Sequence, residues 1–123
     1  MGDGTGNGSN KPVNVLGLSS GICSIRAGGS HSCARTISGG LKCWGFNQYG
    51  QVGNGTTTTN VLSPENVVGL SSGISSVSLD GYHTCALTSL GGVKCWGSNP
   101  SGELGDGTII SRITPIDVLG MSS

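Results

Sequence analysis

Charged residues are scarce in this sequence of 123 residues, and neither sign of charge is concentrated along it. Six lysines and arginines balance six aspartates and glutamates, so the net charge is zero. A protein that binds nucleic acid neutralises phosphates with a basic face, and six dispersed cations cannot assemble one. We therefore expect no nucleic-acid partner.

Long apolar stretches are also missing. No run approaches the roughly 20 apolar residues that cross a bilayer. The first residues, Met1 to Thr5, lack the charged and apolar regions of a secretory signal. We expect no membrane partner, and these features leave the localisation unknown.

Glycine, by contrast, is abundant, and its positions reveal an internal repeat. The chain holds 24 glycines at a hydrophobic content of 34%, a composition typical of a turn-rich β protein of one domain's length. The stretch Cys43 to Thr56 returns as Cys95 to Thr108, an interval of 52 residues. Such a repeat indicates a unit that stacks on its neighbours.

The interval divides the chain into two full repeats and one surplus segment. Residues 1–22 hold a duplicated outer strand and a linker, residues 23–74 the first repeat, and residues 75–123 the second. Short apolar runs bounded by glycine and serine predict four strands in each repeat. The predicted strands are Cys23 to Ala27, Ser32 to Ile37, Leu41 to Phe46 and Glu65 to Val68, then Ser75 to Leu79, Thr84 to Thr88, Val93 to Trp96 and Ile116 to Leu119. Four antiparallel strands per 50 residues or so are typical of a β-propeller blade, so the predicted fold class is all-β.

Motifs within each repeat point to a family. The segments Ala27 to Ala34 and Gly81 to Leu87, with the Trp-Gly-x-Asn turns at Trp44 and Trp96, resemble the regulator of chromosome condensation repeat. That family builds seven-bladed propellers whose rim loops meet protein partners, as in a nucleotide-exchange factor and in secreted β-lactamase inhibitors. The resemblance implies a protein-binding or inhibitory module as one function of this chain.

Four recurring residues are expected to serve the structure between blades. The recurrence of Trp44 as Trp96 predicts that each indole fills the space between neighbouring blades. For His31 and His83, the resemblance implies a structural hydrogen bond to the loop that precedes each strand.

Two blades alone leave two apolar sheet faces in water, and exposed faces of that size mark interaction surfaces. The chain is therefore either a fragment of a longer propeller or a subunit that closes a ring with itself. Three or four copies would give six or eight blades. We favour self-association, with a protein ligand on the assembled scaffold as a further partner.

The last-strand sequence occurs three times, at Val13 to Leu16, Glu65 to Val68 and Ile116 to Leu119, whereas the other strands occur twice. In a closed ring, the first of these on one subunit and the last on its neighbour would compete for one edge. Alternatively, the surplus strand is donated to the next molecule and builds an open filament. The residues that would exchange are Val13, Val15, Leu16, Ile116, Val118 and Leu119.

Cysteines recur in pairs. Cys33 and Cys43 flank one hairpin, and Cys85 and Cys95 flank the other at the same separation. If each pair lies directly opposite, a disulfide is within reach, and the alternative is four buried thiols that pack as small apolar groups. Bridged cysteines favour a secreted or extracellular location. Cys23 is the odd cysteine, and we predict that it is a free, buried thiol.

Neither a metal site nor a catalytic site is predicted. His31, Cys33 and Cys43 are zinc-type ligands, but they form a set of three without a fourth. In Ser30-His31-Ser32, neighbours on a strand point to opposite faces and cannot form a dyad. We expect no cofactor and no enzymatic activity.

Three aromatic residues do not follow the repeat. Phe46, Tyr49 and Tyr82 have serine at the equivalent place in the other repeat. The fold therefore does not require an aromatic ring there, and these three residues are candidates for surface recognition.

Overall fold

The computed structural model describes residues 1–121 and consists of eight strands in two antiparallel sheets. The strand order is β1-β2-β3-β4 in the first sheet and β5-β6-β7-β8 in the second. The strands are β1 Ile22–Ala27, β2 His31–Thr36, β3 Leu41–Phe46, β4 Asn60–Asn66, β5 Ile74–Leu79, β6 His83–Thr88, β7 Val93–Gly97 and β8 Arg112–Asp117. The prediction of an all-β fold with four antiparallel strands per repeat is confirmed. The last two residues of the predicted second repeat, 122 and 123, lie outside the described residues.

Glycine closes the hairpins and bends the third strand. The β2–β3 hairpin turns at Gly39, which has a φ of 85°. Gly45 has a φ of 112° beside a register shift between β3 and β4. A Cβ at Gly45 would lie 2.8 Å from the His31 Cα, so only glycine fits there without displacing β2.

The last strand of each sheet begins earlier than predicted. The predictions of Glu65 to Val68 and Ile116 to Leu119 overlap only the ends of β4 and β8. Both strands start in polar residues and contain a proline, Pro64 or Pro115, which an edge strand tolerates because one side of its backbone is unpaired.

The predicted third copy of this strand is wrong. Val13 to Leu16 lies in no strand. In β4, Asn60 and Val61 pair with β3 before the matching sequence begins, and only Glu65 and Asn66 pair within it. The corresponding N-terminal residues, 9–16, belong to no strand.

The core lies between the two sheets and under the loops that join them. β1 and β2 of the first sheet contact β5 of the second. The buried apolar residues include Cys33, Ala34, Leu41, Val52, Val77, Ala86 and Trp96. Among residues 1–121, no helix has the length and apolarity needed to cross a membrane.

Candidate protein-interaction surfaces

A line of buried hydrogen bonds joins the two sheets. The Nε2 atom of His31 lies 2.6 Å from the Thr84 hydroxyl. That hydroxyl donates to the Gln51 carbonyl oxygen at 2.9 Å, and the Trp96 indole N–H donates to the same oxygen at 2.9 Å. His31 therefore bonds to the neighbouring sheet, so the expected bond to its own preceding loop is wrong: the first residue of β2 faces β6.

Burial sets the protonation of this histidine. His31 is 3% exposed. Desolvation first, and the nearby charge of His83 second, lower the pKa of His31 to about 4. The ring is therefore neutral near pH 7.

The equivalents of these residues lie on the two outer faces. The outer face of the first sheet carries Ile25, Ser32 and Trp44, and the outer face of the second carries His83, Cys85 and Leu87. Trp44 is buried against Gly2, but its N–H donates to no other residue within 1–121. His83 is half-buried, and its ring makes no hydrogen bond in that range.

The three irregular aromatic residues meet at one rim. The ring centroids of Tyr49 and Tyr82 are 5.3 Å apart, and Phe46 lies 6.3 Å from Tyr49 and 6.0 Å from Tyr82. Tyr49 is 40% exposed and Tyr82 is 51% exposed. We call these three residues the rim cluster; it bridges the two sheets.

The structure pairs Cys33 with Cys43 and Cys85 with Cys95 as disulfides. Each pair lies directly opposite in its hairpin register. Cys23 is free but exposed, so the prediction of a buried thiol is wrong. Its Sγ lies at hydrogen-bonding distance from the carbonyls of residues 35 and 36, as the Ser75 hydroxyl does from the matching carbonyls in the second sheet.

The strand-exchange candidates lie at the two ends of the chain. Val15 packs against the core of the first sheet, while Val13 and Leu16 are exposed. Ile116 belongs to β8 and is half-buried, as is Val118, whereas Leu119 is exposed.

Two buried asparagines, which sequence reasoning missed as structural residues, organise the long loops. Asn47 donates to the Asn54 side chain and to the Thr56 carbonyl, and accepts from the Val52 N–H. Asn99 repeats these bonds in the second sheet. The signal that could have found them is their recurrence in the Trp-Gly-x-Asn turns.

The loop after Asn99 contains a strongly acidic carboxyl. The Thr108 hydroxyl first, then the Thr108 N–H, the Arg112 guanidinium and the Asn99 amide, lower the pKa of Asp106 to about 2. Arg112 Nε lies 3.0 Å from Asp106 Oδ2. This pairing fixes the loop to the start of β8.

No group of three histidine, cysteine or acidic side chains is placed to hold a metal within residues 1–121. The Ser30 hydroxyl donates to the Gly81 carbonyl at 2.8 Å, and it is not paired with His31. The geometry of these residues is that of a packed interface.

Comparison with known families decides what the two sheets are. Two models of the regulator of chromosome condensation (RCC1) repeat match, one at residues 22–51 and 74–103 and the other at residues 38–87. The chain belongs to the RCC1 repeat family. Each sheet is therefore one blade of an RCC1-type β-propeller, the first blade being β1–β4 and the second β5–β8.

Relatives with curated descriptions are much longer than this chain. The human E3 ubiquitin-protein ligase HERC2 is 35% identical over 123 residues, which is 98% of this chain and 2% of HERC2. The Arabidopsis thaliana ultraviolet-B receptor UVR8 is 35% identical over 95 residues, which is 76% of this chain and 21% of the receptor.

Solved structures show the same fold at lower identity. Prp20p from Saccharomyces cerevisiae superposes with a TM-score of 0.75 at 22% identity, over 85% of this chain and 27% of Prp20p. Human WBSCR16 superposes with a TM-score of 0.69 at 24% identity, over 79% of this chain and 26% of that structure.

Proposed function

We propose that this chain is a non-enzymatic propeller module that associates through its outer sheet faces with further copies of itself and closes a ring. The observation that carries the proposal is an equivalence between faces. Each outer face carries the repeat equivalents of the residues that form one side of the interface buried between the two blades. Two equivalent pairs, Ile25 with Val77 and His83 with His31, share their chemical character and differ in their exposure.

The outer face of the first blade matches the inner face of the second. Val77 packs against the first blade and is 6% exposed, whereas its equivalent Ile25 is 55% exposed. Ser32 stands where Thr84 accepts the bond from His31, and it also carries a hydroxyl. This face therefore offers an apolar surface and an acceptor to another blade.

The outer face of the second blade matches the inner face of the first. His31 and Cys33 are buried between the blades, whereas their equivalents His83 and Cys85 are half-buried. A second copy would bring Ser32 to His83 and the Glu103 carbonyl to the Trp44 N–H, which donates to no residue within 1–121. Head-to-tail contacts of this kind close when the rotation permits.

Absolute mass by light scattering tests the ring, with and without reductant and over a range of concentrations. A plateau at three or four times the monomer mass of 12.2 kDa is expected, and mass that rises without a plateau indicates a strand-donating filament. A monomer at all concentrations contradicts both forms of assembly.

Matched variants locate the contact. Ile25→Asp and Leu87→Asp place a charge on the two outer faces, and each is expected to abolish association. Leu90→Asp is the control because Leu90 is 84% exposed in the β6–β7 turn, away from both faces. An equal loss in the control would assign the contact elsewhere.

The rim cluster favours a second function, binding of a protein ligand. Aromatic rings are enriched at binding hot spots, and these three lie in contact across two blades although the repeat places serine at each position. Exposed Tyr49 and Tyr82 beside the half-buried Phe46 at one rim are the feature expected of a protein-binding or inhibitory module.

Serine substitution tests the rim cluster with little risk to the fold. The variant Phe46→Ser, Tyr49→Ser, Tyr82→Ser carries at each position the residue of the other repeat. Displayed random peptides selected on the unmodified chain are expected to lose binding to this variant and to keep it for Cys23→Ser. Peptides that bind both equally, or no enriched peptides at all, argue against a rim site.

A further inference from the structure

Three segments of the chain are closed in the same way. We call residues 2–16 the N-terminal segment, residues 53–68 the middle segment and residues 105–119 the C-terminal segment. Each is closed by the same 2.9 Å hydrogen bond between its ends: Leu16 N–H to Gly2 O, Val68 N–H to Gly53 O, and Leu119 N–H to Gly105 O.

The side chains at the start of each segment also match. The Asp3 carboxylate accepts from both the N–H and the hydroxyl of Thr5. The Asn54 side chain does the same for Thr56, and Asp106 does so for Thr108. The three segments therefore begin and close alike, although the middle segment is one residue longer and the N-terminal segment contains no strand.

Two of the three segments cover a blade. The middle segment places Gly53 against the Trp96 indole and joins Gly55 N–H to Ile113 O at 3.1 Å. The N-terminal segment places Gly2 against the Trp44 indole and joins Gly4 N–H to Leu62 O at 2.9 Å. It thus sits on the first blade as the middle segment sits on the second.

The C-terminal segment is closed in the same way, and no blade follows it within residues 1–121. Leu119 is 68% exposed. Within 4 Å, a Cβ at Gly107 would meet only this leucine. The C-terminal segment therefore covers no blade within residues 1–121, unlike the other two segments.

We propose that the N-terminal segment occupies, on the first blade, the docking place of the C-terminal segment of a second copy, so that assembly requires the N-terminal segment to leave. The inference rests on the proposed self-association and adds an internal competitor that limits it. It is an exchange of equivalent elements between copies.

The two segments that compete for the first blade differ in the hydrogen bonds that come with them and in their effective concentration. The N-terminal segment is tethered, so it wins when the chain is dilute. A second copy that docks its C-terminal segment also brings the Glu103 carbonyl, which precedes that segment and is the equivalent of the Gln51 carbonyl that accepts from Trp96. The Trp44 N–H would gain that acceptor only from the second copy, which favours exchange at high concentration.

Replacing leucine by serine at two equivalent positions tests the competition, because the two variants should change the dissociation constant of the assembly in opposite directions. Leu16 and Leu119 each lie over a glycine of their own segment, Gly4 and Gly107, and both are more than half exposed, so serine there should leave the blades folded. Leu16→Ser weakens the internal competitor and should lower the dissociation constant of the assembly about fivefold. Leu119→Ser weakens the docking segment and should raise it about fivefold.

A second variant acts at the tryptophan. A Cβ at Gly2 would lie 2.6 Å from Trp44 Nε1, so Gly2→Val should release the N-terminal segment and tighten assembly. Gly6→Val is the control in the same segment, because a Cβ there meets nothing within 4 Å. Amide exchange of Gly4 and Leu16 supplies a readout on the unmodified chain, since both N–H groups should lose protection as assembly proceeds.

The outcomes separate the two proposals. Assembly that is equal in the unmodified chain, Leu16→Ser and Gly2→Val, or that leaves Gly4 and Leu16 protected, overturns the competition and keeps self-association. An unmodified chain that remains monomeric at every concentration, together with folded Leu16→Ser and Gly2→Val variants that also remain monomeric, overturns both.

Discussion

His31 and Thr84 join the two blades through one hydrogen bond whose direction is fixed by a third residue. The Thr84 hydroxyl donates its single hydrogen to the Gln51 carbonyl, so it must accept from His31 Nε2. The proton of the neutral ring is therefore on Nε2. The His31 Nδ1 atom is buried and has no partner among residues 1–121, so a second proton would create a buried charge without an acceptor.

The blade interface should therefore weaken in mild acid. The pKa of His31 is lowered from 6.5 to about 4 by desolvation and then by His83. Because the folded chain binds this proton more weakly than the unfolded chain, stability is full above pH 6.5 and falls as the pH approaches 4. The loss in the free energy of unfolding is expected to reach roughly 3 kcal/mol at pH 4. Urea unfolding curves recorded between pH 7.5 and 4 measure it.

His31→Gln is the control for this pH dependence. Glutamine keeps a donor for Thr84 but does not titrate, so the slope between pH 6.5 and 4 should flatten. If the variant retains the slope of the unmodified chain, another group causes it and the assignment to His31 is wrong.

Much of the fold could be predicted because hairpin chemistry is local. Gly39 and Gly91 close the two inner hairpins, and apolar alternation marks the strands that flank them. The starts of β4 and β8 escaped prediction because Asn60 and Arg112 begin edge strands that are held by backbone pairing, for which a polar sequence gives no signal.

The interaction surfaces were only partly predictable. Tyr49 and Tyr82 each stood out because serine occupies the equivalent position, but their contact depends on how two blades pack. The Gln51 carbonyl, which accepts two bonds, is a backbone atom and leaves no trace in residue type. The exposure of Cys23 likewise depends on which face of β1 lacks a covering blade.

The two disulfides should be reduced at different rates. Cys33 and Cys43 are fully buried between the blades, whereas Cys85 is half-buried on an outer face. Because a thiolate must reach the sulfur, we expect Cys85–Cys95 to be reduced about tenfold faster. This ratio corresponds to a difference of about 1.4 kcal/mol in the free energy of the local opening that exposes the sulfur. Timed alkylation and mass spectrometry measure both rates, with Cys23 labelled before any reductant is added. Equal rates would mean that the blades separate before either bond is reduced.

A side chain at Gly53 should disrupt the contact between the blades. Gly53 has a φ of 79°, and a Cβ there would lie 2.5 Å from Trp96 Nε1. Gly69 has a φ of 76° but open space around it, so Gly69→Ala reports backbone strain alone, about 1 to 2 kcal/mol. Gly53→Ala should cost about 1 to 3 kcal/mol more through overpacking, measured by urea unfolding of both variants. Equal costs would show that the indole moves aside freely.

Asn54 and Asp106 occupy equivalent positions, but replacing either one by the residue of the other should change the stability of the chain. The Asn54 amide donates to Glu65 Oε2 at 2.6 Å, so Asn54→Asp sets two carboxylates against each other and should destabilise the chain by about 1 kcal/mol at pH 7. Glu65→Gln should restore stability at pH 7, because it removes one of the two facing carboxylates. Asp106→Asn removes instead the pair with Arg112, so Glu65→Gln should not rescue it. Thermal unfolding of the single and double variants distinguishes local repulsion from a general loss of loop structure, because only local repulsion gives rescue confined to Asn54→Asp.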